Sequence, residues 1–280
     1  MELLRLPITF VAADGSPVHA PMIRAAVGEI DTLLVLDTGS EVHLLTKELS
    51  DVIGLSLGEG EEGTDHSGAT MPSWSAGEVP MRAGALHLPL RDVVVIPAPA
   101  PFPARGIGGI ISPQHLLPDA RVVLDMADHE LLLLQEAAGE TEARLRTRHP
   151  ALRFLDLARD GRSTTPVVPG AIVPFDETSV LVNTGSRHTE FDLTVVPDLA
   201  PASVERLGSG VSGAGVMGSV LPDRVLRMGG VEVAVGSLVL REGMLHPHAM
   251  VGMDLLRGTV VSCDADPGGR LTWQVPPVAT

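Results

Sequence analysis

Leu33-Leu34-Val35-Leu36-Asp37-Thr38-Gly39-Ser40 and Ser179-Val180-Leu181-Val182-Asn183-Thr184-Gly185-Ser186 are nearly the same stretch written twice, with Asn in the second where the first has Asp. Each is an apolar run ending in a polar, glycine-containing turn. That is the pattern of a buried strand delivering its last side chain into a tight bend. Asp37 and Asn183 stand 146 positions apart. The same spacing carries Asp14-Gly15 onto Asp160-Gly161, a hairpin-turn signal ahead of each copy. Downstream, Ile110-Ile111-Ser112 precedes Leu116-Leu117, and Met250-Val251-Gly252 precedes Leu255-Leu256. Strand-like runs over 121–125 and 259–264 then close each half. Two copies of a unit this long imply two similar lobes rather than a solenoid.

Composition agrees with a well-packed globular chain. Of 280 residues, 44% are hydrophobic and only 20% charged, which excludes a disordered protein. With no Tyr and few other aromatics, the core must rest on Val, Leu, Ile, Met and Ala. Between dense Gly and Pro punctuation, the apolar segments run four to eight residues, predicting strands at 6–11, 33–36, 92–96 and 231–240. Helical patterning is confined to 44–52, 113–117 and 140–148. The polar stretch 135–149 lies outside the repeat and reads as a linker. The predicted fold class is therefore all-β: two similar lobes, residues 1–137 and 151–280, joined by a linker at 138–150, with a few short helices and a cleft between them.

The turns carry the chemistry. Gly39 and Gly185 permit bends that a Cβ would obstruct. Asp37 presents a carboxyl group there, Ser40 is placed to hydrogen-bond its outer oxygen, and Thr38 to reach the opposing lobe; Thr184 and Ser186 repeat these parts. At this point the chain resembles the aspartic peptidase superfamily, in its retropepsin-like and pepsin-like branches and in a single-chain bacterial form. The marker of that family is an apolar pair, Asp-Thr-Gly and a small residue, followed by an apolar-apolar-Gly strand. Ser112 stands where that Gly is usual, and Asn183 where the second Asp is. The resemblance implies acid-protease-type β-barrel lobes and an endopeptidase in which residues 37 and 183 hold a water, one as general base and one as acid. Replacing one carboxylate by a carboxamide removes the shared proton, so the chain as written is expected to be nearly inert. Asn183 is the only asparagine in the chain. A natural pseudo-peptidase that binds extended peptides without cutting them is one explanation. A deliberate Asp→Asn replacement is the other, and the lack of asparagine elsewhere favours it.

The resemblance also implies flap hairpins over the cleft, holding an extended peptide by main-chain hydrogen bonds. Glycine-rich tips that fit are Asp65-His66-Ser67-Gly68 and Gly210-Val211-Ser212-Gly213. Two such flaps resemble a fused retropepsin dimer more than pepsin. Gly213-x-Gly215-x-x-Gly218 matches a dinucleotide fingerprint literally, but no βαβ pattern surrounds it. His43 and His188 follow the two turns and either line the cleft or sit on a helix face. Neither a metal nor an organic cofactor is expected, and the partner is a peptide or protein substrate. The formal net charge of −15, with Lys47 the only lysine, argues against nucleic acid. A single cysteine, no signal-like start and no long apolar run predict a cytoplasmic protein away from membranes. A monomer suffices for such a site, and a homodimer is compatible with it.

Overall fold

The computed structural model describes residues 1–65, 67–151, 153–159, 163–199, 204–245, 247–263 and 271–275. His66, Asp160 and Gly161, named above, and residue 264 of the run 259–264 lie outside them. The chain is all-β, and the strand pairings of its two halves correspond. In the first half, Ile30–Leu36 runs parallel to Ile107–Ile111, with Val35 opposite Ile110 and Leu36 opposite Ile111. His43–Thr46 lies antiparallel on the other side of that strand and pairs in parallel with Val93–Ile96. In the second half, Thr178–Val182 runs parallel to Ala249–Val251, with Leu181 opposite Met250 and Val182 opposite Val251. Glu190–Asp192 pairs antiparallel with Ala249–Val251 and parallel with Val231–Arg241.

A shared sheet joins the halves. Its strand order is Glu2–Pro7, Glu130–Leu134, Arg121–Asp125, Val260–Cys263, Leu271–Val275, Arg153–Arg159, three strands from each half. The two sets meet where Arg121–Asp125 pairs antiparallel with Val260–Cys263. The segment expected as a linker is a structural part of this sheet's cover. Its helix, Ala138–Arg148, inserts Leu145 among Val123, Leu132, Leu134 and Val260.

Two predicted elements change character. The segment 44–52 is not one helix: His43–Thr46 is a strand, and the helix runs over Lys47–Ile53, capped by Thr46 Oγ1 at 3.3 Å from the Leu49 N–H. Leu44 and Leu45 extend because Ile110 and Gly109 offer them a ladder from far along the chain. The predicted strand 6–11 is broken at Ile8. Glu2–Pro7 joins the shared sheet, whereas Thr9–Val11 pairs inside the first half. No helix among the described residues is long and apolar enough to cross a membrane.

Candidate active site

The parallel ladders deliver both motifs to one place. The Asp37 N–H donates to the Ile111 carbonyl at 2.9 Å, and the Asn183 N–H to that of Val251 at 3.0 Å. The two turns are then locked to each other. The Thr38 N–H donates to Thr184 Oγ1 at 3.0 Å and the Thr184 N–H to Thr38 Oγ1 at 3.1 Å. Each hydroxyl passes its own proton across, Thr38 to the Val182 carbonyl (2.5 Å) and Thr184 to that of Leu36 (2.7 Å). Both threonines are fully buried, so each bond lies in a low dielectric and each donor would be costly to leave unpaired.

This lock sets residues 37 and 183 side by side. The Gly39 N–H holds Asp37 Oδ1 at 2.8 Å, and the Gly185 N–H holds Asn183 Oδ1 at 2.8 Å. A Cβ on Gly185 would fall 2.2 Å from Asp37 Oδ2, and one on Gly39 would fall 2.6 Å from Asn183 Nδ2. Each side chain therefore rests on the glycine of the opposite turn, and the glycines are required for that approach rather than for bending alone. Asn183 Oδ1 also accepts from the Ser186 N–H at 3.1 Å. With Oδ1 so occupied, the carboxamide nitrogen is the atom turned away from its own turn, 3.8 Å from Met250 Sδ.

Ser40 and Ser186 complete the turns differently from expectation. Their hydroxyls donate to the carbonyls of Val42 (2.7 Å) and His188 (3.0 Å), closing the loop after each turn rather than bonding the carboxyl group. A serine hydroxyl finds a local carbonyl two residues on more readily than a side chain behind it. His43 is not in the cleft and not on a helix. It is 1% exposed beneath the first turn, where Nδ1 accepts the Ser112 N–H at 3.3 Å. Burial, reinforced by the nearby His115, pushes its pKa down to about 4. His188 is half-buried after the second turn.

Three residues that motif reading does not single out support these turns. Gln114 is fully buried and its amide donates to the carbonyls of Thr38 (3.3 Å) and Ser40 (2.9 Å). Asp254 occupies the matching place, accepting from the Thr189 N–H (2.8 Å) and hydroxyl (2.7 Å). Both sit two residues past Ser112 and Gly252, a repeat signal that was present in the chain. His19 comes from the first half and its Nε2 lies 3.0 Å from the Gly185 carbonyl. A carbonyl only accepts, so that nitrogen carries the proton. His19 has no counterpart signal, since Thr165 stands at the repeat position.

The flap tips meet each other. Each closes with the same turn: the Asp65 N–H donates to the Ala69 carbonyl and the Gly210 N–H to that of Ala214, both at 3.0 Å. Gly68 and Gly213 take the left-handed conformation that each tip needs, at φ +82° and +83°. Asp65 is held by the Ser67 N–H and hydroxyl within its own tip. Its other oxygen accepts the Ser212 N–H from the opposite tip at 3.0 Å. A Cβ on Gly210 would fall 2.1 Å from that oxygen, so glycine there makes the bond accessible. Burial disfavours the Asp65 charge, but the Ser212 and Ser67 donors prevail and hold its pKa below the usual carboxylate range. Val211 packs on the cluster containing Met22, Leu33, Val35 and Ile110 in the first half. Of the residues expected at the flaps, the structure thus joins Asp65 to Gly210 and Ser212.

Among the described residues, one other polar cluster has metal-ligand chemistry. Asp125, Asp128 and His149 offer ligand atoms within 4.8 Å of one another. Arg148 supplies the positive charge there, lying 2.5 Å from Asp128 and 3.4 Å from Asp125, while His149 Nε2 lies 2.7 Å from Asp125. These contacts tie the end of the linker helix to the hairpin it covers.

Known proteins add no assignment. No family model and no curated protein matches the chain. The functional reading rests on the geometry.

Proposed function

We propose that this chain is a two-lobed aspartic endopeptidase, silenced at position 183. The observation that carries the reading is the mutual approach of Asp37 and Asn183, each resting on the other turn's glycine between crossed threonines. An aspartate at 183 would keep the Gly185 and Ser186 N–H bonds on Oδ1 and turn its second oxygen outward, where the carboxamide nitrogen now lies. Two carboxylates that close do not both ionise, so they share a proton and titrate as a pair. Such a pair activates a water as base and protonates the scissile carbonyl as acid. Asn183 has no titratable proton to share. General acid–base chemistry worth about 10²–10⁴-fold is lost with it.

The substrate in this reading is an extended peptide between the turns and the flap tips, bound by strand-type hydrogen bonds. We place the protein in the cytosol, in keeping with its single, buried cysteine. A second reading is supported by how well Asn183 is accommodated, with Oδ1 accepting two backbone N–H groups: a pseudo-peptidase that captures extended peptides and releases them uncut. Hydrolysis of a proteome-derived peptide library between about pH 3 and pH 7 separates the two. Cleavage by the Asn183→Asp form and none by the parent chain supports the silenced peptidase. Peptide binding by both with cleavage by neither supports the capture protein.

A further inference from the structure

The two turns, equivalent by the repeat, are followed by residues of opposite charge. Residue 41 is Glu and its counterpart 187 is Arg; residue 42 is Val and its counterpart 188 is His. His19 lies against the Gly185 carbonyl, so the second turn is flanked by His19, Arg187 and His188. The counterpart of His19 is Thr165, which is buried and bonded to Ser163. At all three matched positions the difference has the same sense. Glu41 and Arg187 are both exposed, and neither forms an ion pair among the described residues. In a chain of net charge −15, a basic group of this kind is a local exception.

Arg187, His188 and Arg105 all lie near enough to His19 to act on its charge. Desolvation, and then the positive charges of Arg187, His188 and Arg105, lower its pKa despite the Gly185 bond. The His19 ring keeps much of its surface in solvent. Besides Asp37, which rests on Gly185 and is held by the Gly39 N–H, the carboxylates of Asp254 and Asp14 stand nearby, and both are engaged. Asp254 is bonded to Thr189, and Asp14, beside Arg105, accepts from Ser16.

We infer that His19, Arg187 and His188 form a subsite for an acidic side chain, so the substrate is an extended peptide bearing Asp or Glu on one side of the cleaved bond only. This deepens the endopeptidase reading and rests on it. A pseudo-symmetric site would accept a peptide in either direction. A cation at one end and a carboxylate at the other select the direction, because reversing the peptide sets its acidic residue against Glu41.

The test is cleavage-site profiling of the Asn183→Asp form on a bacterial proteome digest, alone and with Arg187→Gln or Arg187→Glu added. Melting curves show whether the added variants fold. The expected profile is enriched in Asp and Glu on one side of the bond, and the enrichment weakens in high salt. Arg187→Gln removes it, and Arg187→Glu shifts it toward Lys and Arg with KM for a Glu-containing peptide raised about five- to tenfold. Cleavage with no acidic preference, or with a profile that Arg187→Glu leaves unchanged, overturns the subsite and leaves the peptidase reading standing. Failure of the Asn183→Asp form to cleave at any pH overturns the peptidase reading and the subsite with it.

Discussion

The two turns share a backbone and differ in what supports it. Beneath the first, the matched positions are His43, Leu44, Ser112 and Gln114; beneath the second they are Thr189, Glu190, Gly252 and Asp254. The first turn is held by neutral groups: an uncharged imidazole on a backbone N–H and an amide on two carbonyls. The second is held by carboxylates, with Asp254 on Thr189 and Glu190 in a buried ion pair with Arg241 at 3.0 Å. Even the departure at Ser112 follows this difference. In the second half a Cβ at Gly252 would fall 2.4 Å from the His188 carbonyl, so only glycine fits. One turn geometry thus tolerates two unrelated foundations, because the crossed threonines, not the layer beneath, fix the turns relative to each other.

The largest way to sharpen the comparison is to make the turns chemically equal. Asn183→Asp is expected to raise peptide hydrolysis by about 10²–10⁴-fold or more over the parent chain, read as initial rates. An unchanged rate would break the equivalence of the two positions. Next is the buried Glu190–Arg241 pair, at a position where the first half has Leu44. Arg241→Met strands the Glu190 carboxylate in the interior and is expected to cost about 3–5 kcal/mol in urea unfolding. Adding Glu190→Leu, the residue type of the first half, should recover most of that loss.

His43 gives the first half its own pH signature. An unfolded histidine takes its proton near pH 6.5, whereas folded His43 resists until about pH 4. As pH falls through that window, the unfolded state gains protons first and stability declines, by at most about 3 kcal/mol once below it. His43→Gln should flatten this acid limb of the melting-temperature profile; a profile identical to the parent would remove His43 as its origin. The smallest effect is expected at the flaps. Asp65→Ala removes the bond to the Ser212 N–H, and faster amide exchange should appear at both tips with little change in global stability. The same contact in the parent chain persists at neutral pH and weakens as pH drops through the depressed Asp65 pKa.

Much of this was legible before any coordinate. The repeated motif, its constant offset and the turn residues announced two related halves, an all-β chain and the pairing of residues 37 and 183. Neighbours contributed by distant strands were not legible. Leu44 and Leu45 have helical spacing, yet a ladder to Ile107–Ile111 draws them into a strand. Ser40 has the right chemistry to bond Asp37, yet the Val42 carbonyl is the partner it meets. Gln114 and Asp254 were hidden because their role depends on which carbonyl or hydroxyl folding brings above them.

What the sequence by itself determined is the pattern that forces local form: apolar runs of strand length, glycines where the backbone must bend, and one acid and one amide at equivalent ends. What only the tertiary structure decided is which groups face each other: His19 against Gly185, Asp65 against Ser212, and Thr38 against Thr184. Local form follows from sterics within a few residues, whereas the chemistry of a cleft is set by side chains whose separation along the chain says nothing about their separation in space.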